Sequence, residues 1–286
     1  MPTYDTTQIR HYYDRHTSRF LTFGQGRKTG TLHRAVWGPE TNNRQQAFRY
    51  IEDQIVKFSR NILPKLDKLH MVDLGCGVGT SLCYIAECLP IIGTGITLSP
   101  VQVKLAKQVI DEANLPDRVL CIEGDYCNLP SNTKKADVAY AIESFVHSQD
   151  PDQFFVQCNQ LIHPGGLLIL CDDFRKSENG STKTQTIERF CKGWHINTLL
   201  NLEECYSIAN SQGFRHKQTI NLSPYLELNR YRDRAVEVLL ALSKLIPLYK
   251  TKIDYLIGGN ALQKCLQQGW ISYNMVVFQR LNDTKS

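Results

Sequence analysis

The sequence lacks the long apolar run that a membrane-spanning helix requires. No apolar segment of its 286 residues approaches the roughly 20 residues of such a span, and residues 1–10 lack the apolar centre of a signal peptide. Internal repeats and low-complexity tracts are absent as well. These absences predict a globular, cytoplasmic protein. The length of 286 residues is enough to bury an ample core.

Cysteine pairs at metal-binding or redox spacing are also absent. The ten cysteines are scattered without a Cys-x-x-Cys motif, mostly in apolar surroundings, which predicts reduced and mostly buried thiols. No cluster of acidic residues predicts a metal site. The formal net charge of +5 is too small to indicate nucleic-acid binding by itself.

Strand and helix signals alternate between residues 69 and 174, which predicts a parallel, doubly wound α/β sheet. The predicted strands are 69–74, 91–96, 118–123, 136–142 and 166–172. The predicted helices between them are near 80–89, 100–114 and 151–162.

The residues before and after this segment do not show the same regular alternation of strand and helix signals. Residues 1–65 are predicted to be mostly helical, and 176–198 to form a loop or short helices. Beyond them the sequence predicts a helix at 199–211, a strand at 215–222, mainly helix at 224–265 and a final strand at 269–281.

A glycine-rich turn follows the first predicted strand. The segment from Met71 to Thr80 reads Met-Val-Asp-Leu-Gly-Cys-Gly-Val-Gly-Thr, and a helix-like stretch follows from Ser81. Glycines at a strand-to-helix turn let a ligand approach the backbone, and the helix N-terminus behind them favours negative charge. The spacing departs from the Gly-x-Gly-x-x-Gly fingerprint of NAD enzymes, because Thr80 stands at the position of the last glycine.

Asp73 narrows the choice of cofactor for such a turn. A carboxylate just before the turn would repel a pyrophosphate, but it suits a cation such as the ammonium group of S-adenosylmethionine. The segment resembles motif I of the class I S-adenosylmethionine-dependent methyltransferases. A tight turn without a ligand and an NAD-dependent reductase are the alternatives.

Further motifs extend this resemblance over residues 66–175. The segment from Gly95 to Gln102 is similar to a Gly-[Ile/Val]-Thr-Leu-Ser-x-x-Gln variant found in cyclopropane fatty acid synthases, tocopherol methyltransferases and prenyl diphosphate methyltransferases. It also fits an ordinary helix start. The acid at Asp125 stands where this superfamily binds the adenine amino group, although a surface turn would look the same. The resemblance implies cofactor contacts from Asp73, Gly75, Cys76, Gly77, Gly79, Thr97, Leu98, Gln102, Asp125, Tyr126 and Ile142.

Glu143 follows the fourth strand, at the edge where doubly wound sheets bind ligands. The segment from Tyr140 to His147 is similar to the Tyr-Ala-Ile-Glu-x-x-x-His segment of sterol C-methyltransferases. Glu143 also matches the glutamate that prenyl diphosphate C-methyltransferases place under the reacting alkene. The resemblance implies a catalytic carboxylate that stabilises a carbocation and assists its deprotonation.

His147 shares a face with Glu143 if this segment is helical. It is a second candidate catalytic residue that could orient Glu143, act as a base or bind substrate. A solvated or helix-capping Glu143 and a structural His147 are the alternatives.

Basic residues are concentrated in the N-terminal region. Between Gln8 and Arg34 six lysines and arginines accompany a single acid, Asp14. Such charges either form a solvated face or close an anion pocket over the site, and a second cluster comprises Arg230, Arg232 and Arg234. Short similarities to the lids and caps of related enzymes imply substrate contacts from Tyr13, His33, Trp37 and Tyr225.

The resemblance implies a Rossmann-like, doubly wound, seven-stranded methyltransferase sheet. A helical N-terminal lid at 1–65 would precede an S-adenosylmethionine-binding core at 66–175. The remainder at 176–286 would complete the sheet and carry cap insertions at about 176–198 and 224–268.

The implied reaction is methyl transfer from S-adenosylmethionine to a small acceptor. We favour C-methylation of an alkene in a lipophilic or isoprenoid-like molecule, with Mg²⁺ needed if the acceptor is a diphosphate. O- or N-methylation of a phenol or amine is the alternative within the class, and a catalytically silent cofactor-binding partner subunit is the alternative from another class. Nucleic acid is not expected as a partner, since no Asn/Asp-Pro-Pro-aromatic tetrad is present; a homo-oligomer is compatible with the sequence.

Overall fold

The computed structural model describes residues 3–23, 30–62, 67–130, 133–176, 181–228 and 254–282. Its strands are β1 (Leu69–Leu74), β2 (Ile91–Thr97), β3 (Val119–Glu123), β4 (Ala136–Ile142), β5 (Ile162–Arg175), β6 (Phe214–Asn221) and β7 (Ile271–Arg280). They form a seven-stranded sheet with the order β3-β2-β1-β4-β5-β7-β6. This sheet confirms the predicted Rossmann-like α/β fold class.

The strand directions determine where a ligand can bind. Strands β1 to β5 run parallel to one another, whereas β7 is antiparallel to both β5 and β6. The strand order reverses between β1 and β4, which lie side by side with Asp73 opposite Tyr140. Ligands of doubly wound sheets bind at this reversal, outside the carboxyl ends of the strands. Strand β7 adds residues from the end of the chain, with Tyr273 opposite Asp173 on β5.

Helices cover both faces of this sheet. They are α1 (Thr6–Phe23), α2 (Arg44–Arg60), α3 (Thr80–Cys88), α4 (Pro100–Glu112), α5 (Pro151–Leu161), α6 (Ser181–Trp194), α7 (Leu202–Ser211) and α8 (Asp254–Gln267). Helix α2 contacts α3 and α6 contacts α8, whereas α5 contacts α7. Two large apolar cores result, because alternate strand residues point to opposite faces of the sheet.

The helices at the sheet edge begin at residues that the sequence marks as caps. Ser99 Oγ accepts a hydrogen bond from the backbone N–H of Gln102 at 3.1 Å, at the start of α4. The Asp150 carboxylate accepts one from the N–H of Gln153 at 3.0 Å, at the start of α5. A proline follows each cap, where its missing N–H costs no helical hydrogen bond. These caps fix where α4 and α5 begin beside the carboxyl ends of the strands.

The flanks differ in part from the sequence-based expectation. The structure corrects the loop or short helices expected at 176–198, because α6 is one helix of 14 residues whose Phe190 is fully buried. Most of the helical segment expected at 224–265 lies outside the described residues, as do Arg230, Arg232 and Arg234. Its described parts are the 3-10 turn Ser223–Tyr225 and α8. The predicted domain boundaries stay predictions.

Three findings concern the described ranges as a whole. None of their helices is both long and apolar enough to cross a membrane. All ten cysteines fall within them and none forms a disulfide. The same ranges contain no group of three or more His, Cys, Asp or Glu side chains that could hold a metal ion.

Candidate active site

The glycine turn between β1 and α3 forms one wall of a cavity at the reversal point. Gly75, Gly77 and Gly79 all have positive φ, of +94°, +54° and +77°. A side chain at Gly75 would place its Cβ 2.4 Å from the Cβ of Ser144, so only glycine fits there without displacing this neighbour. The segment Gly75, Cys76 and Gly77 lines the cavity, so its backbone is accessible to a ligand.

Asp73 presents a buried carboxyl group to the same cavity. Its exposed fraction is 3%, and burial raises its pKa from 3.8 to about 7. A buried carboxylate is costly unless a cation or hydrogen-bond donors compensate it. The carboxyl group of Asp73 therefore fits the ammonium group of S-adenosylmethionine. The accessible backbone of Gly75 to Gly77 beside it fits the rest of the methionine moiety.

The opposite wall is formed by the end of β2 and the start of α4. Thr97, Leu98, Ser99 and Gln102 line the cavity. The amide of Gln102 is engaged at both ends, because its Oε1 accepts from Thr97 Oγ1 at 2.6 Å and its Nε2 donates to Thr17 Oγ1 at 3.1 Å. Gln102 thus connects this wall to α1, and its predicted contact with the cofactor stays a prediction.

Helix α1 covers this wall through polar contacts. Ser99 Oγ donates to the Asp14 carboxylate, and Arg10 forms a 3.0 Å ion pair with Glu123 at the end of β3. Ile9 and Tyr13 of the same helix line the cavity. Helix α1 therefore packs against this wall and contributes to the lining of the cavity.

Two further predicted cofactor residues line the cavity at its centre. Ile142 ends β4, and Tyr126 is 8% exposed. The hydroxyl of Tyr126 donates to the carbonyl of Ser144 at 2.7 Å, and its ring packs edge-to-face on Phe154. Tyr126 is thereby held in one orientation beside the cavity.

Four of the predicted site residues do not line the cavity: Gly79, Trp37, Asp125 and Tyr225. The Asp125 carboxylate accepts from the N–H of Cys127 at 2.8 Å, within its own turn. Trp37 packs beside Phe48 of α2, and its backbone N–H donates to the backbone carbonyl of Tyr225 at 2.8 Å. The predicted ligand contacts of these four residues stay predictions.

Glu143 directly follows β4 and lines the cavity with a strained backbone. Its φ is +50°, which is uncommon for a residue other than glycine, and its side chain is 15% exposed. One oxygen, Oε1, accepts from the backbone N–H of Arg34 at 2.9 Å, from Arg34 Nε at 3.1 Å and from the hydroxyl of Tyr273 at 2.8 Å. Burial would raise the pKa of Glu143, but the charges of Arg34 and His33, together with the hydrogen bonds from Arg34 and Tyr273, outweigh it and lower this pKa below its usual range. Glu143 is therefore an ionised carboxylate.

Arg34 connects Glu143 to a second carboxylate. Its guanidinium forms a bidentate pair with Asp173, with Nη1–Oδ1 at 3.0 Å and Nη2–Oδ2 at 2.8 Å, and it lies 4.1 Å over the ring of Tyr273. Sequence reasoning counted Arg34 only as part of a basic region and missed the other two residues. The position of Asp173 near the carboxyl end of β5 was a usable signal, whereas nothing in the sequence placed Tyr273 here.

His147 lies in a 3-10 turn after Glu143, and its ring bonds elsewhere. Nδ1 is 3.1 Å from the carbonyl oxygen of His195, and Nε2 is 2.6 Å from the hydroxyl of Tyr13. Burial lowers the pKa of His147 from 6.5 to about 4, so the ring is neutral. The structure thus brings the predicted residues Tyr13 and His147 into direct contact.

His33 also lines the cavity, and it is a buried cation. Its Nε2 is 3.0 Å from Glu52 Oε1, which also accepts from Arg49 at 3.0 Å and from Ser81 at 3.0 Å. Burial would lower the pKa of His33, but the charge of Glu52 raises it to about 9. The two described cations of the cavity lining, His33 and Arg34, are both paired with carboxylates.

Comparison with known proteins agrees with this geometry. A model of a methyltransferase domain matches residues 72–170. The O-methyltransferase cnsE of Penicillium expansum is 31% identical over 172 residues, which cover 60% of this chain and 60% of the relative. The norajmaline N-methyltransferase of Rauvolfia serpentina is 31% identical over 145 residues, which cover 49% of each protein.

A solved structure shows the same fold over nearly the whole chain. The geranyl diphosphate C-methyltransferase of Streptomyces coelicolor, in complex with Mg²⁺, geranyl diphosphate and S-adenosyl-L-homocysteine, superposes with a TM-score of 0.67 at 15% identity. The match covers 96% of this chain and 98% of that one. At this identity the likeness concerns the fold alone.

The fold and the glycine turn define a Rossmann-like protein with a cavity at the carboxyl ends of β1 and β4. The glycine turn and the carboxyl ends of β1 and β4 lie within residues 72–170, the segment that matches the methyltransferase-domain model. The chain spans 60% and 49% of the lengths of the two curated relatives.

Proposed function

We propose that the protein transfers a methyl group from S-adenosylmethionine to a small-molecule acceptor. The proposal is supported by the matched domain and by the cavity that Asp73 and the glycine turn form at the strand-order reversal. When bound there, S-adenosylmethionine supplies an electrophilic methyl group on a sulfonium. Asp73 would hold the ammonium group, and the segment Gly75 to Gly77 would contact the methionine moiety.

The ionised carboxylate of Glu143 carries the finer proposal. Three donors fix its Oε1 in the lining of the cavity, and the low pKa keeps it charged. An alkene that accepts a methyl cation becomes a carbocation, and a fixed negative charge beside that carbon lowers the barrier. We therefore favour C-methylation of an alkene carbon in a lipophilic or isoprenoid-like acceptor.

The charges of the residues that line the cavity can be compared with the charge of a diphosphate acceptor. In the part of the lining that the structure describes, the charges of His33 and Arg34 are already compensated by Glu52, Glu143 and Asp173. An uncharged or cationic acceptor fits these groups better than a diphosphate. A diphosphate acceptor would need a further cation, such as Mg²⁺.

The neutral His147 supports a second candidate, which is methylation of a phenol oxygen or an amine nitrogen. A heteroatom acceptor must lose a proton, and an uncharged imidazole can take it. Two curated relatives, an O-methyltransferase and an N-methyltransferase, support this acceptor class. The developing positive charge on an amine would also benefit from Glu143.

An acceptor screen tests the proposal. The wild type and Glu143→Gln would be incubated with methyl-labelled S-adenosylmethionine and with prenyl diphosphates, polyprenes, sterols, phenols and amines, each with and without Mg²⁺. We expect label on an alkene carbon, with a loss of about 10²-fold or more in Glu143→Gln. Glu188→Gln, the same substitution at an exposed site on α6, should retain wild-type turnover.

The other outcomes are equally informative. Label only on oxygen or nitrogen, with Glu143→Gln still active, would replace the alkene by a heteroatom acceptor. Binding of S-adenosylmethionine without methylation of any acceptor would support a silent partner subunit instead of an enzyme.

A further inference from the structure

One short hydrogen bond joins helix α1 to the turn that follows β4. The hydroxyl of Tyr13, on α1, lies 2.6 Å from Nε2 of His147, on the turn after β4. Both residues line the cavity beside Glu143. The contact joins positions 134 residues apart in the chain, and it lies in the lining of the cavity that would hold the acceptor under the proposed function.

The partners of His147 define where its proton resides. The carbonyl oxygen of His195, 3.1 Å from Nδ1, can only accept a hydrogen bond. Nδ1 therefore carries the proton and donates it, which leaves a lone pair on Nε2. The Tyr13 hydroxyl donates to that lone pair, so the lone pairs of the Tyr13 oxygen are available to accept a proton from another group.

Glu143 is poorly suited to take a proton itself. Its Oε1 already accepts three hydrogen bonds, and the charge of Arg34 holds its pKa low. Its negative charge instead favours a cation nearby, and it acts in this direction on the His147 ring. The site thus separates a charge that stabilises cations from a neutral pair that can move a proton.

We propose that Tyr13 and His147 form a proton relay that removes the acceptor's proton during methyl transfer, a role that rests on the proposed function. The acceptor forms its new bond to the methyl group and loses one hydrogen as a proton, while the electron pair of the broken bond stays on the acceptor. That proton bonds to the Tyr13 oxygen as the original Tyr13 proton moves to His147 Nε2. The resulting imidazolium returns its proton to solvent after product leaves.

The weak basicity of His147 fits this role. Burial holds its pKa near 4, so it is a poor base for a phenol before methyl transfer, although it can take the proton of a phenol oxygen as that oxygen accepts the methyl group. A carbocation, or a phenol oxygen that has just accepted the methyl group as an oxonium, gives up its proton far more readily than a neutral phenol does, and proton transfer is efficient when base and acid are matched. The relay thus links the neutral histidine to acceptors that become cationic.

A double-mutant cycle tests the relay with the acceptor found for the wild type. Tyr13→Phe removes the hydroxyl and keeps the ring, and His147→Asn removes Nε2 while keeping an N–H near the position of Nδ1. We expect each variant to lose about 10²-fold or more in kcat, with the double variant no slower than either single one. Binding of S-adenosylmethionine by titration calorimetry should be unchanged, and Tyr12→Phe, the same change one residue earlier on α1, should retain wild-type kcat.

A solvent isotope effect separates the relay from a structural role. The wild type should turn over more slowly in deuterium oxide, and Tyr13→Phe should lose that difference, because the proton would no longer cross the pair. Wild-type kcat in Tyr13→Phe, or losses that multiply in the double variant, would overturn the relay while leaving the methyltransferase intact. If the wild type binds S-adenosylmethionine but methylates nothing, the proposed function fails first and the relay with it.

Discussion

Arg34 and Asp173 form a bidentate ion pair directly beside the candidate catalytic carboxylate. Their two N–O distances are 3.0 Å and 2.8 Å, and the side chain of Asp173 is only 3% exposed. The same arginine donates twice to Glu143 and lies over the ring of Tyr273. Arg34, from a loop distant in the sequence, therefore contributes to both the orientation and the charge of Glu143.

Replacing Arg34 should destabilise the protein strongly. Arg34→Met leaves two buried carboxylates without their cation, and breaking such a pair costs about 3–5 kcal/mol. Urea unfolding followed by circular dichroism would measure the loss. Arg44→Met removes an exposed pair with Glu227 and should cost less than about 1 kcal/mol. Equal losses in the two variants would contradict a structural role for the buried pair.

Cofactor affinity should depend on pH through Asp73. Its pKa of about 7 means that the carboxyl is charged above pH 7 and protonated below it. Because the ammonium of S-adenosylmethionine needs the charged form, Kd should rise as pH falls below 7, approaching about tenfold per pH unit. Titration calorimetry between pH 5.5 and 7.5 would measure this slope.

The matched variants identify the group that titrates. Asp73→Asn should bind weakly at every pH and lose the slope, whereas Asp53→Asn, at an exposed position on α2, should keep it. A slope that persists in Asp73→Asn would assign the titration to another group.

Stability should fall in mild alkali through His33. Its folded pKa of about 9 lies above the usual 6.5, so its contribution is fully present below pH 6.5 and is lost as pH rises through 9. The free energy of unfolding should therefore decrease over this window by up to about 3 kcal/mol. Urea unfolding of the wild type and His33→Gln would show the decrease in the wild type only. His163→Gln, at an exposed histidine, should behave as the wild type does.

The glycine turn allows a test of the close contact beneath the cofactor. Gly75→Ala and Gly165→Ala both place alanine at positive φ, of +94° and +82°. The added Cβ meets Ser144 at 2.4 Å in the first variant and nothing within 4 Å in the second. Gly165→Ala should cost about 1–2 kcal/mol from backbone strain alone. Gly75→Ala should cost more and should also weaken binding of S-adenosylmethionine; equal stability and unchanged affinity would argue against a turn shaped by Ser144.

Much of the fold could be predicted because its signals are local. The predicted bounds of β1 and β4 match the structure at both ends, since each is an apolar segment with turn residues beside it. The turn after Asp73 was recognisable for the same reason, because its glycines are consecutive in the chain. Helix α6 was missed, since its apolar residues contact core positions supplied by α8 and the sheet.

The candidate site shows the same division. The sequence by itself determined that Asp73 and Glu143 lie at the carboxyl ends of parallel strands. Asp73 is the second-last residue of one apolar strand, and Glu143 directly follows another. Only the tertiary structure decided which groups surround them. Antiparallel β7 brings Tyr273 to Glu143, and helix α1 brings Tyr13 to His147. Such pairs depend on how elements more than 100 residues apart pack together. The local periodicity of the sequence does not predict that packing.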